Sequence, residues 1–380
     1  MSTPIPVAAI IEDLFTPMIA ASPSDAQPGE VVGLLAGVTL NFERFYVSLG
    51  SVPLLGSGTV STEDIAWSMG SNTKVFTATL LALAAQLQEN NVSLTTSVQS
   101  LLPSSVPINY YEKSSTYPIL LWHLATHSAG WPDGLCPKVE GNYTFDQMSS
   151  FLGAFTPQYA PGQYYNYSNQ GFALLGALMS HVFSEASQPQ DWDSSYDDWT
   201  SLLTSNVLSP LGMNSTVVDI LSVENSMAVP YLYKSTGQPY QTTTPSTWQP
   251  DSAGLGAGAL STTLADMLTF LEAQIAPPGG NLGSAIQMTQ AAPCGSDLSM
   301  GLGWGLGNSF LCKDGQVSGY TSFMTVDTGA QLGVVVVANT LPSDNGRLLA
   351  LTTLGALGAI RGTDAPVPHY PQTKLSLDCP

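Results

Sequence analysis

Gly70-Ser71-Asn72-Thr73-Lys74-Val75-Phe76 marks the point where the chain turns from extended to helical. Ahead of it, residues 65–69 read as a strand. Behind it, Val75, Phe76, Ala78, Leu80 to Ala85 and Leu87 are apolar nearly all round, which predicts a helix buried between two layers. Asn90-Asn91 supplies the stop. Ser71 and Lys74, three residues apart, share one face of such a helix. A serine hydroxyl is almost inert at neutral pH and attacks only when a base lies within hydrogen-bond reach. The positive end of the helix dipole favours an alkoxide at Ser71, and apolar surroundings make the Lys74 ammonium easier to deprotonate. Ser-x-x-Lys alone arises in many chains, so the chemistry needs further residues.

Two other segments offer them. In Tyr165-Asn166-Tyr167-Ser168-Asn169, Tyr167 and Asn169 are two apart, and in an extended loop both point into one cleft. A phenol beside two ammonium groups ionises below its usual value and acts as a base, so Tyr167 is expected as phenolate. Asn169 offers a donor and an acceptor, suited to holding Lys74 and a substrate amide. In Lys313-Asp314-Gly315, a strand lining the cleft places Lys313 beside the tyrosine and leaves a glycine where substrate approaches closely. The backbone N–H of Gln316 is expected to join that of Ser71 as an oxyanion hole. Trp304, within a glycine-rich run at 301–307, is expected to line the groove near a strand.

Working outward, residues 7–19 carry apolar positions at helical spacing, broken by Pro17. Residues 31–40 and 45–49 read as paired strands, 318–326 and 332–339 as another pair joined through Asp327-Thr328-Gly329-Ala330, and 347–360 as a final helix. Between residues 92 and 284 lie helical pieces separated by Pro, Gly and Asn loops. Strands first and last, with helices between, predict an α+β fold: an antiparallel β-sheet flanked by helices plus an α-helical lobe. The expected divisions are an N-terminal helix (1–24), a sheet domain (25–90 and 285–370), the helical lobe (91–284) and a tail (371–380).

Composition narrows the partners. Of 380 residues, 44% are apolar and only 10% charged, with nine Lys and Arg and a net charge of −19. Phosphate binding needs clustered cations, so a nucleic-acid partner is excluded, and an anionic membrane surface is disfavoured for the same reason. No stretch of sequence is apolar enough to cross a bilayer, and Glu12 with Asp13 interrupts the first apolar run, which does not read as a signal peptide. Cys136, Cys294, Cys312 and Cys379 form an even set, with Cys294 and Cys312 placed to close a short loop. Asn91, Asn142 and Asn214 head N-glycan sequons. These patterns favour a secreted chain, with a cytoplasmic one as the alternative. The spacing of the sequence leaves oligomeric state open.

Ser71-x-x-Lys74, Tyr167-x-Asn169 and Lys313-Asp314-Gly315, in this order and with these separations, resemble the serine β-lactamase and penicillin-binding protein superfamily. The Tyr-x-Asn form points to its class C β-lactamase and esterase branch. Leu121-Trp122-His123-Leu124-Ala125-Thr126-His127-Ser128-Ala129-Gly130-Trp131-Pro132 looks like the family's LLTHTSGLP segment. Pro210-Leu211-Gly212-Met213 looks like its PLGM turn, and 253–267 like its AGGL-ST-DM segment; the likeness runs from about residue 29 to 339. The resemblance implies a mixed sheet lobe on a helical lobe with the site between them. It implies an acyl-enzyme on Ser71, proton transfer by Lys74 and Tyr167, Lys313 as an electrostatic partner, and no metal or organic cofactor. Asp314 departs from the family's Thr or Ser, whose hydroxyl helps grip a substrate carboxylate. A carboxylate there repels anions, so small neutral esters or amides are expected as substrates ahead of lactams. Acyl transfer to an alcohol or amine from the same acyl-serine is the alternative, and a non-catalytic binding homologue a third.

Other signals are weaker. His123 and His127, four apart, have helical metal-ligand spacing without a third ligand nearby. No Gly-x-Ser-x-Gly elbow occurs, and the 301–307 glycines lack the lysine of a phosphate loop. Residues 191–199, rich in Asp and aromatics, read as an exposed loop or helix start.

Overall fold

The structure is a computed structural model that describes residues 5–27, 29–137, 142–183, 196–233, 240–249, 251–342, 344 and 346–366. Helix α1 (Val7–Phe15) leads into the hairpin of β1 (Gly33–Leu40) and β2 (Glu43–Gly50). After the short β3 (Ala66–Ser68) comes helix α2 (Thr73–Leu87), and later helix α3 (Asn169–Phe183). The middle of the chain also contains β4 (Tyr231–Tyr233), β5 (Tyr240–Thr242) and β6 (Ser261–Thr263), which the sequence reading did not anticipate. They are only three residues long, too short to show alternation. Helices α4 (Leu264–Ile275) and α5 (Gly280–Thr289) follow. The chain then runs through β7 (Gly305–Leu306), β8 (Leu311–Val317), β9 (Tyr320–Asp327), β10 (Leu332–Ala338), β11 (Thr340–Leu341) and helix α6 (Arg347–Arg361).

The main sheet has the order β2-β1-β10-β9-β8-β7, every neighbouring pair antiparallel. Within it the first strand of the chain, β1, pairs with the distant β10, with Leu34 opposite Ala338 and Leu40 opposite Leu332. Side chains alternate between two faces. Leu34, Ala36, Val38, Val334 and Val336 face α1 and α6, packing with Ile11, Phe15, Leu354 and Leu357. Leu35, Val335 and Val337 belong to the second core, shared with α2, α3 and α4. A strand covered on both faces needs no polar side chain, which explains the uninterrupted Val334-Val335-Val336-Val337-Ala338 run.

Helix α4 lies against this sheet. Leu268 reaches Gly37 of β1 and Leu271 reaches Gly333 of β10, although residues 264–275 fall in the stretch assigned from sequence to the helical lobe. Arg44 of β2 pins the same helix by donating to both carboxylate oxygens of Glu272, at 2.8 and 2.5 Å. Glycines at those two positions let a helix come close, and the sequence carries no other sign of it.

Cys294 and Cys312, which the sequence spacing would allow to bridge, are not joined to each other. Cys312 is buried on β8 with its thiol directed at the Gly305 carbonyl at 3.7 Å, while Cys294 is an exposed thiol. Among the described residues Cys136 is disulfide-bonded, and Cys379 lies outside them. The three sequon asparagines, 91, 142 and 214, are all exposed. Of the acidic-aromatic stretch at 191–199, residues 191–195 lie outside the described residues, and a helix spans Tyr196–Leu203. No described helix is long and apolar enough to cross a membrane.

Candidate active site

Ser71 sits in a 3-10 turn (Gly70–Asn72) between β3 and α2. Two restraints fix that turn. Strand β3 pairs with β6, and Met69 N–H donates to Leu260 O at 2.8 Å. On the other side β8 presses against it: Gly70 has φ of +52°, and a Cβ there would lie 2.5 Å from Gln316 O. Asn72, directed away from the cleft, ties the turn to β8 and β9. Its amide nitrogen donates to Lys313 O (3.3 Å) and Asp314 O (3.2 Å), and its oxygen accepts from Ser322 Oγ (2.9 Å).

One helical turn on, Lys74 Nζ lies 3.0 Å from Ser71 Oγ. It also donates to Asn169 Oδ1 and to Ala257 O, each at 2.6 Å. Asn169 is the first residue of α3 rather than part of an extended loop, and its Nδ2 leans toward Asp133 Oδ1 at 3.5 Å, so its oxygen faces the lysine. Lys74 is fully buried. Burial first, and the Lys313 charge second, hold its amine well below the ordinary lysine value; Asp314 and Asp133 pull weakly the other way. A neutral amine has two N–H groups and one lone pair. Asn169 and Ala257 take the two hydrogens, leaving the lone pair for Ser71.

Tyr167 Oη is 2.5 Å from Ser71 Oγ. Its ring lies between two lysine side chains, 4.9 Å from Lys74 Nζ and 5.6 Å from Lys313 Nζ. The expected phenolate is nevertheless not its resting form. Complete burial, then the Asp314 carboxylate, push its pKa well above the ordinary tyrosine value, outweighing the hydrogen bond shared with Ser71. Two flanking lysines do not compensate because Lys74 is itself driven neutral and Lys313 is paired. Lys313 Nζ donates to Asp314 Oδ1 at 2.9 Å and to Asp314 O at 2.6 Å. Partial enclosure pushes the Asp314 pKa up, but the Lys313 ammonium and its hydrogen bond outweigh this and hold it below the usual carboxylate range. Its side chain is half exposed at the cleft edge.

A cavity of about 410 Å³ opens over Ser71, with Asn169 and Gln316 on its polar side and Leu135, Trp248 and Val317 on its apolar side. Gln316 is therefore where the sequence reading put it, in the same wall as the nucleophile. Gly315 is needed for close approach of a different kind: a Cβ there would lie 2.1 Å from Met69 O, so it admits the Ser71 turn rather than substrate. Trp304 does not line the groove. It is completely buried, its ring stacked on Phe270 at 6.2 Å, because Gly303 turns the chain in against the Lys74 side of α2. The aromatic at the cavity is Trp248, which lies over Gly254. No periodic pattern marks Trp248; only the fold of the 243–249 segment brings it there. His123 and His127 each use Nδ1 to accept a backbone N–H, from Leu120 (2.9 Å) and Ser168 (3.0 Å).

A family model described as Beta-lactamase matches residues 20–357. A β-lactamase of Yersinia enterocolitica is 26% identical over 312 residues, covering 80% of this chain and 70% of that protein. One of Pseudomonas fluorescens is 25% identical over 304 residues, covering 79% and 76%. "Protein flp" of Staphylococcus aureus is 22% identical over 290 residues, of which the match spans 72% of this chain but 52% of the relative. Among solved structures, a class C β-lactamase superposes with a TM-score of 0.71 at 17% identity, covering 93% of this chain and 98% of that one. A β-lactamase/D-alanine carboxypeptidase from Pseudomonas syringae gives 0.66 at 19% identity, covering 90% and 97%. These structural likenesses show the fold.

Proposed function

Since this chain belongs to the β-lactamase family, we propose that it is a serine hydrolase that cleaves small uncharged esters or amides through an acyl-enzyme on Ser71. The observation that carries the reading is the pair of contacts on one oxygen: Lys74 Nζ at 3.0 Å and Tyr167 Oη at 2.5 Å from Ser71 Oγ. Ser71 Oγ attacks the substrate carbonyl as its proton passes to the Lys74 lone pair. The carbonyl oxygen, now negative, is received by the backbone N–H groups of Ser71 and Gln316. When the carbon–heteroatom bond breaks, Tyr167 gives its phenolic proton to the leaving oxygen or nitrogen, and the Lys74 ammonium restores it. Water entering by the reverse path releases the acid and returns the proton to Ser71.

The preference for neutral substrates rests on Asp314. In the family a hydroxyl residue stands there, leaving the lysine ammonium able to meet an anion; here the ammonium already holds a carboxylate at 2.9 Å. Leu135, Trp248 and Val317 add an apolar wall suited to an aliphatic or aromatic acyl group. The test uses p-nitrophenyl butyrate. Ser71→Ala should lower turnover at least ~1000-fold, and intact mass analysis should find a butyryl adduct on the wild type only. Unchanged turnover in the variant refutes the assignment. Running the reaction with added alcohols or amines separates hydrolysis from transfer, because an acceptor that captures the butyryl group makes the chain an acyltransferase.

A further inference from the structure

We propose that His127 is a positioning residue that clamps Tyr167 from below, and that it does so as a neutral ring with its proton on Nε2. This inference rests on the acyl-Ser71 reading and adds to it a residue that is not part of the cavity lining over Ser71.

Three contacts carry it. The His127 carbonyl accepts the N–H of Asn166 at 2.7 Å, and the His127 imidazole Nδ1 accepts the N–H of Ser168 at 3.0 Å. The residues on both sides of Tyr167 are therefore held by one residue, which fixes the backbone from which the phenol projects. The imidazole face also lies on the Tyr167 ring, with centroids 4.3 Å apart and planes 28° apart. Phe172 (4.9 Å) and Tyr165 (5.6 Å) pack around the same imidazole, and only 1% of its surface is exposed. The backbone is bent to make this possible: His127 has φ of +55°, a left-handed conformation that a non-glycine residue adopts at some cost.

The chemistry of the ring follows from what it accepts. A nitrogen that receives an N–H cannot carry a proton, so Nδ1 is bare and the hydrogen of the neutral ring is on Nε2. Protonating the ring would set Nδ1–H against Ser168 N–H and release one side of the clamp. Burial above all, with the Lys313 charge nearby, keeps its pKa well below the ordinary histidine value. A tyrosine whose hydroxyl must stay 2.5 Å from Ser71 Oγ tolerates little backbone drift, since about 1 Å of misplacement costs of order 100-fold in rate.

Two substitutions separate acceptor from ring. In His127→Asn the amide Oδ1 stands two bonds from Cβ, where Nδ1 was, and asparagine adopts left-handed backbone more readily than most residues. His127→Phe keeps the stacked ring but leaves Ser168 N–H buried without an acceptor. With p-nitrophenyl butyrate, His127→Phe should lose about tenfold or more in kcat with KM within about twofold, while His127→Asn keeps kcat within about threefold of wild type. A folded His127→Phe with wild-type kcat overturns the proposal, as does a His127→Asn that falls equally far. If His127→Phe does not fold, the wild type itself decides: long-range ¹H–¹⁵N spectra at pH 7 must show a neutral His127 ring protonated at Nε2, and a proton on Nδ1 overturns it. Ser71→Ala inactive with His127→Phe unaffected sinks this inference alone, whereas an active Ser71→Ala sinks the hydrolase reading instead.

Discussion

Gly315→Ala should disable the enzyme while leaving it folded. The added methyl would sit 2.1 Å from Met69 O, 2.8 Å from Ser322 Oγ and 3.0 Å from the side-chain amide of Asn72. Ordinary contact begins at ~3.4 Å, so β8 and the Ser71 turn must separate by about 1.3 Å along the first of these directions. Met69 is held by Leu260 and by the β3–β6 pair, and β8 is held by β9, so neither side yields freely. Overpacking of this kind costs roughly 1–3 kcal/mol of stability. In a chain of this length that lowers Tm by only roughly 1–4 °C. The same displacement moves Lys313 and Gln316 away from Ser71, and a shift of about 1 Å at a reacting centre costs of order 100-fold. The assay is kcat for p-nitrophenyl butyrate at 25 °C beside a thermal melt. Gly355→Ala in α6, where a Cβ meets nothing within 4 Å, is the matched control and should keep full activity. A Gly315→Ala enzyme within threefold of wild type would show that the strand and the turn are not rigidly opposed.

The remaining expectations concern charge. Ser71 needs the Lys74 lone pair, so activity should fall on the acid side as pH drops through the lowered lysine pKa, and measured kcat/KM against pH reports it. In the unfolded chain Lys74 regains its ordinary value, so between the folded and unfolded values the unfolded state binds the extra proton and stability rises with pH. Urea unfolding should then show the stability of wild type relative to Lys74→Met increasing up to about pH 10; a flat difference would mean a buried ammonium. Asp314→Thr frees the Lys313 ammonium, and kcat/KM for a carboxylate-bearing cephalosporin such as nitrocefin should rise about tenfold with butyrate ester turnover nearly unchanged. No gain on nitrocefin would remove the electrostatic argument for neutral substrates.

The parts of this site readable in sequence are those set by local geometry. Ser71 and Lys74 meet because a helical turn brings i and i+3 together, and that holds whatever else the chain does. The long apolar run after Lys74 and the valine run of β10 announce burial on all sides, which is why α2 and the central strand were legible. Protonation states were not, because they depend on how much water reaches a group. Tyr167 beside two lysines looks acidic on paper and becomes the reverse once enclosed. Trp304 and Trp248 show the same limit for side chains: each sits near glycines, and only the turn at Gly303 sends one inward while the 243–249 segment carries the other to the cavity. His127 was visible as half of a metal-like pair, but its place beneath Tyr167 depends on a backbone twist with no sequence periodicity.

The meeting of β1 with β10 has a consequence for how the molecule comes into being. Residues 34–40 must wait for residues 332–338 before their hydrogen bonds are filled, and Lys313 and Gln316 reach Ser71 only through the same late strands. A nascent chain that has made the nucleophile, its amine and its phenol still lacks the wall that receives the oxyanion. Catalytic competence should therefore appear in one step, once residues 332–338 have been made and have paired with β1, and ester turnover can serve as a clock for closure of the sheet.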